Sequence, residues 1–135
     1  MTRGLTCDTS VVVPALLSWH PEHGACRDAL GQVDRLPMHV VAETFSVLTR
    51  LPAPHRVAPA DAAMVLSGLA LPLLELPGRV LRSTVLALGR SGVGGGAVYD
   101  ALVAATAHHH QRNLLTRDQR ARSTYDLIGV RYALV

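Results

Sequence analysis

The stretch Gly95–Arg120, GGAVYDALVAATAHHHQRNLLTRDQR, decides how the chain folds, because its reading returns two separated carboxylates, Asp100 and Asp118, to one place. Ala97 to His110 contains no Gly or Pro and is rich in Ala and Leu, which predicts a helix. Asn113 to Thr116 predicts a short strand. A helix rising about 1.5 Å per residue carries the chain roughly 15 Å from Asp100, and a strand at about 3.3 Å per residue brings it back by Asp118. Both acids finish at the same end of this helix–strand unit.

On a 3.6-residue helix Asp100 shares its stripe with Ala97, Ala104 and Ala107, small neighbours that leave room beside the carboxylate. Ala, Leu and Val on nearly every side mark a buried helix. A buried acid near its start needs backbone N–H groups, a cation, or both. An acid in a first turn also serves the helix dipole alone, so Asp100 by itself does not define a site.

Working outward, 135 residues form one domain, 1–135, long enough to bury a core. With 49% hydrophobic and only 4% aromatic residues, that core must be Ala, Val and Leu. The formal charge is +3, and all 13 basic residues are Arg. Arg presents a planar fork suited to phosphate or carboxylate, which points to an acidic partner. Cys7 and Cys26 form no CxxC pair and imply free thiols in a reducing cytoplasm. The longest apolar run, Ala62 to Leu74, is broken by Pro72 and falls short of the roughly 20 residues a membrane span needs. A soluble cytoplasmic chain is the expectation.

Taken in order, Gly4 to Cys7 is a short strand that ends at Asp8, and Val11 to Trp19 a helix capped by Thr9 or Ser10. Gly24 to Leu36 and Met38 to Leu51 are further helices, each closed by proline. In the latter, Val40, Thr44, Val47, Leu48 and Leu51 mark the buried face. Glu43 lies at its margin, either aimed into a cleft or on a solvated flank. Pro59 to Ala70 is a helix, Leu71 to Pro77 a short extended segment, and Arg79 to Leu88 a helix leading into a glycine-rich loop, Gly89 to Gly96. After the central helix and strand come a short polar helix and a terminal strand at Gly129 to Leu134. This alternation predicts an α/β domain with a small parallel sheet between helices. Asp8 and Asp118 each follow a strand, so parallel strands place both at one sheet edge, where α/β sites form.

These motifs, DTSVVVPAL at Asp8, ETFSVLTRLP at Glu43, YDALVAATA at Asp100 and LLTRD at Asp118, together resemble the PIN domain, specifically the VapC ribonuclease toxins of bacterial type II toxin–antitoxin pairs. The resemblance covers nearly the whole chain. It implies a PIN-like three-layer α/β/α sandwich whose acids hold Mg²⁺ or Mn²⁺, cut single-stranded or looped RNA such as tRNA or rRNA loops, and are silenced by a cognate VapB antitoxin; homodimers are common in the family. Carried over by position, the catalytic and metal-binding acids are Asp8, Glu43, Asp100 and Asp118, with Ser10 and Thr116 as supporting hydroxyls.

The chemistry suits those residue types. Crowded carboxylates hold protons or bind a divalent cation, and oxygen ligands select Mg²⁺ or Mn²⁺ over Zn²⁺. In-line attack by water would leave a 5′-phosphate and a 3′-hydroxyl. For phosphate contacts the residues to test are Arg117 and Arg120, which flank Asp118, and Arg90 before the glycine loop. Tyr99, beside Asp100, is the aromatic best placed to meet a base. Other readings fail on particulars: the glycine loop follows a helix and the chain has no Lys for a P-loop, and His108, His109 and His110 diverge by about 100° each on a helix. The alternative from another class is a catalytically silent PIN-like module that binds RNA or protein.

Overall fold

The computed structural model describes residues 3–135. Its chain order is β1 (Leu5–Cys7), α1 (Thr9–Leu16), α2 (His23–Leu30), β2 (Leu36–Pro37), α3 (Met38–Thr49), α4 (Pro59–Leu69), β3 (Leu73–Leu74), α5 (Gly78–Arg90), α6 (Ala97–His109), β4 (Asn113–Thr116), a 3₁₀ turn (Gln119–Ala121), α7 (Arg122–Ile128) and β5 (Tyr132–Leu134). Strands β1, β4 and β5 form one parallel sheet with β4 in the middle, and β2 pairs in parallel with β3. Helices α1 and α6 both pack against β4. The expected α/β/α sandwich around a small parallel sheet is what the chain forms.

The main core joins Cys7, Val11, Val12, Val40, Val103, Ala104, Ala107, Leu114 and Tyr125. Few rings and many short aliphatic side chains bring backbones close, which holds α6 tightly on the sheet. Every residue from Ala101 to Ala107 is buried, as a helix apolar all round requires. The unit that decides the fold returns as the spacing demanded: α6 leaves from Asp100, and β4 comes back in register with β1, Leu5 opposite Asn113 and Cys7 opposite Leu115.

Several boundaries differ from the sequence reading, each for a physical reason. The helix expected over Gly24 to Leu36 spans His23–Leu30. Gly31 weakens its continuation, and Leu36 goes to strand pairing with Leu73. Strand β2 lies beside β1, where the buried Thr6 hydroxyl donates to the Arg35 carbonyl at 2.8 Å. Helix α1 ends at Leu16 rather than Trp19, because the Leu17 N–H turns back to the Pro14 carbonyl. Its N-cap is Asp8, not Thr9 or Ser10: the Asp8 backbone is extended and its carboxylate accepts from the Ser10 N–H. The glycine loop begins after α5 and is the position where glycine is required, since Gly92 and Gly95 take φ of +69° and +66°. Cys7 and Cys26 are free and buried.

Candidate active site

The carboxyl ends of β1 and β4 lie side by side, and their next residues meet. Asp8 is 5% exposed, and both its oxygens are hydrogen-bonded. Oδ1 accepts from the Ser10 N–H at 3.0 Å and the Ser10 hydroxyl at 2.5 Å. Oδ2 accepts from the Thr116 hydroxyl and from the Tyr125 hydroxyl at 2.6 Å. A second tier points the same way. The Arg117 N–H donates to Ser10 Oγ at 2.8 Å and the Asp118 N–H to Thr116 Oγ1 at 3.1 Å. Two hydroxyls thus relay the polarity of the β4 end onto one acid, and their protons have assigned directions.

Burial raises the Asp8 carboxyl above its ordinary range, opposed by the hydrogen bonds from Ser10, Thr116 and Tyr125. Burial and then the Asp8 charge push the Tyr125 phenol far up, so it stays a donor. Tyr125 was not legible in the sequence as part of the site. It comes from α7, 117 positions away, and no motif ties it to Asp8.

Asp100 sits half-buried in the first turn of α6. Burial first, and then the charges of Asp118, Glu43 and Asp8, push its carboxyl up to about 6, with Arg120 acting in the opposite sense. The charges of three acids from other elements therefore reach Asp100. Asp118 caps the 3₁₀ turn, accepting from the Arg120 N–H at 2.9 Å. Glu43, on α3, is partly exposed at the margin of the buried stripe Val40, Thr44 and Leu48. The four are not gathered into one grip: among the described residues, no three His, Cys, Asp or Glu side chains stand as a ready metal-holding group.

The arginines take different positions. The Arg117 guanidinium is engaged, by Glu22 at 3.3 Å and by the Val135 carbonyl at 3.0 Å. The Arg120 side chain is 96% exposed, with Nε 3.8 Å from Asp118. Arg90 is exposed at the last turn of α5. The histidine run binds no common partner; the His110 Nε2–H donates to the Glu75 carbonyl at 2.8 Å, and the His109 and His110 rings meet edge to face. His20 and His23 serve local turns, through the Glu22 N–H and the Pro14 carbonyl.

A parallel sheet with acids at its carboxyl edge defines the class, and the PIN domain family matches residues 5–127, so the chain belongs to the PIN-domain family. Within it, the chain is 46% identical to ribonuclease VapC27 of Mycobacterium tuberculosis, over 96% of each chain. The fold is also similar to the crystal structure of Mycobacterium tuberculosis VapC20, described as a sarcin-ricin loop cleaving toxin, with TM-score 0.69 and 17% identity over 88% of this chain and 93% of that one. It is similar as well to VapBC-5 of Mycobacterium tuberculosis, a member of the VapBC family of toxin–antitoxin systems, with TM-score 0.58 and 17% identity over 99% and 98% of the two chains.

Proposed function

We propose that this chain is a single PIN domain acting as a VapC-type endoribonuclease toxin, dependent on Mg²⁺ or Mn²⁺ and neutralised by a cognate VapB antitoxin. The observation that carries the reading is that Asp8 and Asp118 follow adjacent parallel strands at one sheet edge, with Asp100 near enough for their charges to act on it. So much negative charge at one sheet edge invites a divalent cation. The donors fit such an ion, being carboxylate and hydroxyl oxygens without thiolate or imidazole. Asp8, Glu43, Asp100 and Asp118 would hold it. Once bound, it supplies Lewis acidity and an activated water for phosphodiester hydrolysis.

The chain's own residues do the rest. Ser10, Thr116 and Tyr125 hold the Asp8 carboxylate in one orientation through four hydrogen bonds. Exposed Arg120 and Arg90 are offered as phosphate contacts, and Arg117, three residues before Arg120, adds positive charge while its guanidinium stays tied to Glu22. The RNA substrate is single-stranded or looped, since a partly exposed acid edge reaches a splayed strand more readily than a duplex.

For the antitoxin, an apolar groove of about 620 Å³ runs between α3 and α4, lined by Leu36, Val41, Phe45, Leu66 and Leu69 among others. Its shape suits the apolar face of a helix. That VapBC-5 is named as a toxin–antitoxin system supports this partner. Exposed Leu81, Val85 and Leu86 on α5 offer an apolar face for a homodimer.

Expression of the wild type, Asp8→Ala and Asp118→Ala, with sequencing of RNA ends, tests the reading. Growth arrest and new 5′-phosphate ends should vanish in both variants and in extracts treated with EDTA. Cyclic 2′,3′-phosphate ends would overturn the water-attack route. The second reading, a silent binding module, draws on the full engagement of both Asp8 oxygens by hydroxyl donors. It requires arrest that persists in both variants.

A further inference from the structure

A second cleft, of about 540 Å³, adjoins the acid edge between α3 and the start of α6. One wall is a polar stripe of α3: His39, Glu43, Ser46 and Arg50. Spacings of four, three and four residues put these side chains on one face, beside the buried stripe Val40, Thr44 and Leu48. The opposite wall is Gly96 and Tyr99. A Cβ at Gly96 would meet nothing within 4 Å, so this side is open.

Two groups in the cleft, Tyr99 and Arg50, lack a partner that a nucleotide supplies. The Tyr99 ring is 60% exposed, although Asp100 follows it directly. The ion pairs among the described residues join Arg112 to Asp34, Arg117 to Glu22 and Arg120 to Asp118, which leaves the exposed Arg50 without a carboxylate. His39 Nδ1 is buried and has no hydrogen-bond partner among the described residues. The rest of the His39 ring lines the cleft wall. The signs of charge also orient an anion: Glu43 repels phosphate from the acid end, and Arg50, two turns away and about 10 Å along the helix, attracts it.

We propose that this cleft is a nucleotide subsite, in which one unpaired RNA base stacks on Tyr99, presents its edge to His39 and Ser46, and leaves its phosphate on Arg50. The inference rests on the ribonuclease reading and extends it. One flipped base beside the acids sets which phosphodiester bond reaches them. Stacking accepts any base, so selectivity at this position comes from the edge contacts on α3.

The test is a coupling experiment on binding, made in EDTA so that turnover plays no part. The probe is a short single-stranded RNA selected from a randomised pool, intact or with one abasic ribose moved along it, read by fluorescence anisotropy. For the wild type, one abasic position should weaken binding about tenfold. Tyr99→Ala should lose about tenfold on the intact RNA and nothing more at that position, whereas Tyr99→Phe binds like the wild type. Arg50→Ala should weaken intact and abasic RNA equally. Penalties from Tyr99→Ala and the abasic site that multiply would overturn the subsite, as would intact-RNA binding unchanged in Tyr99→Ala. The coupled losses, together with no cleavage when Mg²⁺ is supplied, would uphold the subsite and sink only the hydrolytic reading. Exposure of Tyr99 makes misfolding of its variants a minor concern, and circular dichroism checks it.

Discussion

Asp8 and Asp100 show how one sheet edge gives similar residues different environments. Asp8 is buried and held by hydroxyls; Asp100 is half-buried and pressed mainly by desolvation and its acidic neighbours. With its carboxyl raised to about 6, the folded state binds a proton that the unfolded state releases near pH 4. Metal-free stability from this group is therefore full below about pH 4 and is lost as pH rises through 6. Asp100→Asn should be more stable than the wild type at pH 7.5, by about 1 kcal/mol after allowance for solvent screening, with the gap closing by pH 4. Urea melts at the two pH values check it. Tyr125→Phe keeps the ring against Tyr132 but removes the donor to Asp8 Oδ2. It should cost about 2 kcal/mol, since a hydrogen bond to a charged group is lost. An unchanged urea midpoint would show that the phenol contributes nothing to holding Asp8.

Among the elements, α6 depends most on side-chain size. Ala104 is fully buried in the main core, and its methyl sets how near α6 lies to its neighbours. Ala104→Leu should destabilise by about 1–3 kcal/mol through overpacking and, by shifting Asp100, should lower cleavage as well. Urea unfolding and RNA cleavage measured on one preparation test both effects. The helix itself, its limits and its burial were readable from Ala97 to His110, because composition alone demanded a helix apolar all round. Strand β2 was not. Two residues, Leu36 and Pro37, carry no period, and only Leu73 and Leu74 opposite them make a strand. Likewise Asp8 outcompetes Thr9 and Ser10 as N-cap because the strand leaves it extended, a backbone state invisible in the local sequence.

For the molecule as a whole, the proposed RNA substrate makes charge the property to test. Thirteen arginines and no lysine face ten acids, four of them the proposed site acids. RNA affinity should fall steeply with salt. If Arg90 and Arg120 each neutralise one phosphate of a single strand, each Arg→Ala variant should reduce the log–log salt slope by about 0.7. Filter binding across a salt series measures this. A slope unchanged in both variants would remove them from the interface. No helix among the described residues is long and apolar enough to cross a membrane, in line with the broken apolar run around Pro72.

The sequence by itself determined the alternation of elements and the parallel return of the chain from α6 into β4, because periodicity and rise per residue are local properties that add along the chain. Only the tertiary structure decided that Tyr125 holds Asp8, that Arg117 is tied to Glu22, and that Arg50 and His39 face Tyr99 across one cleft. Those pairings join residues far apart in the chain. They follow from how α7, α2, α3 and α6 pack on or beside the sheet, which no local pattern encodes.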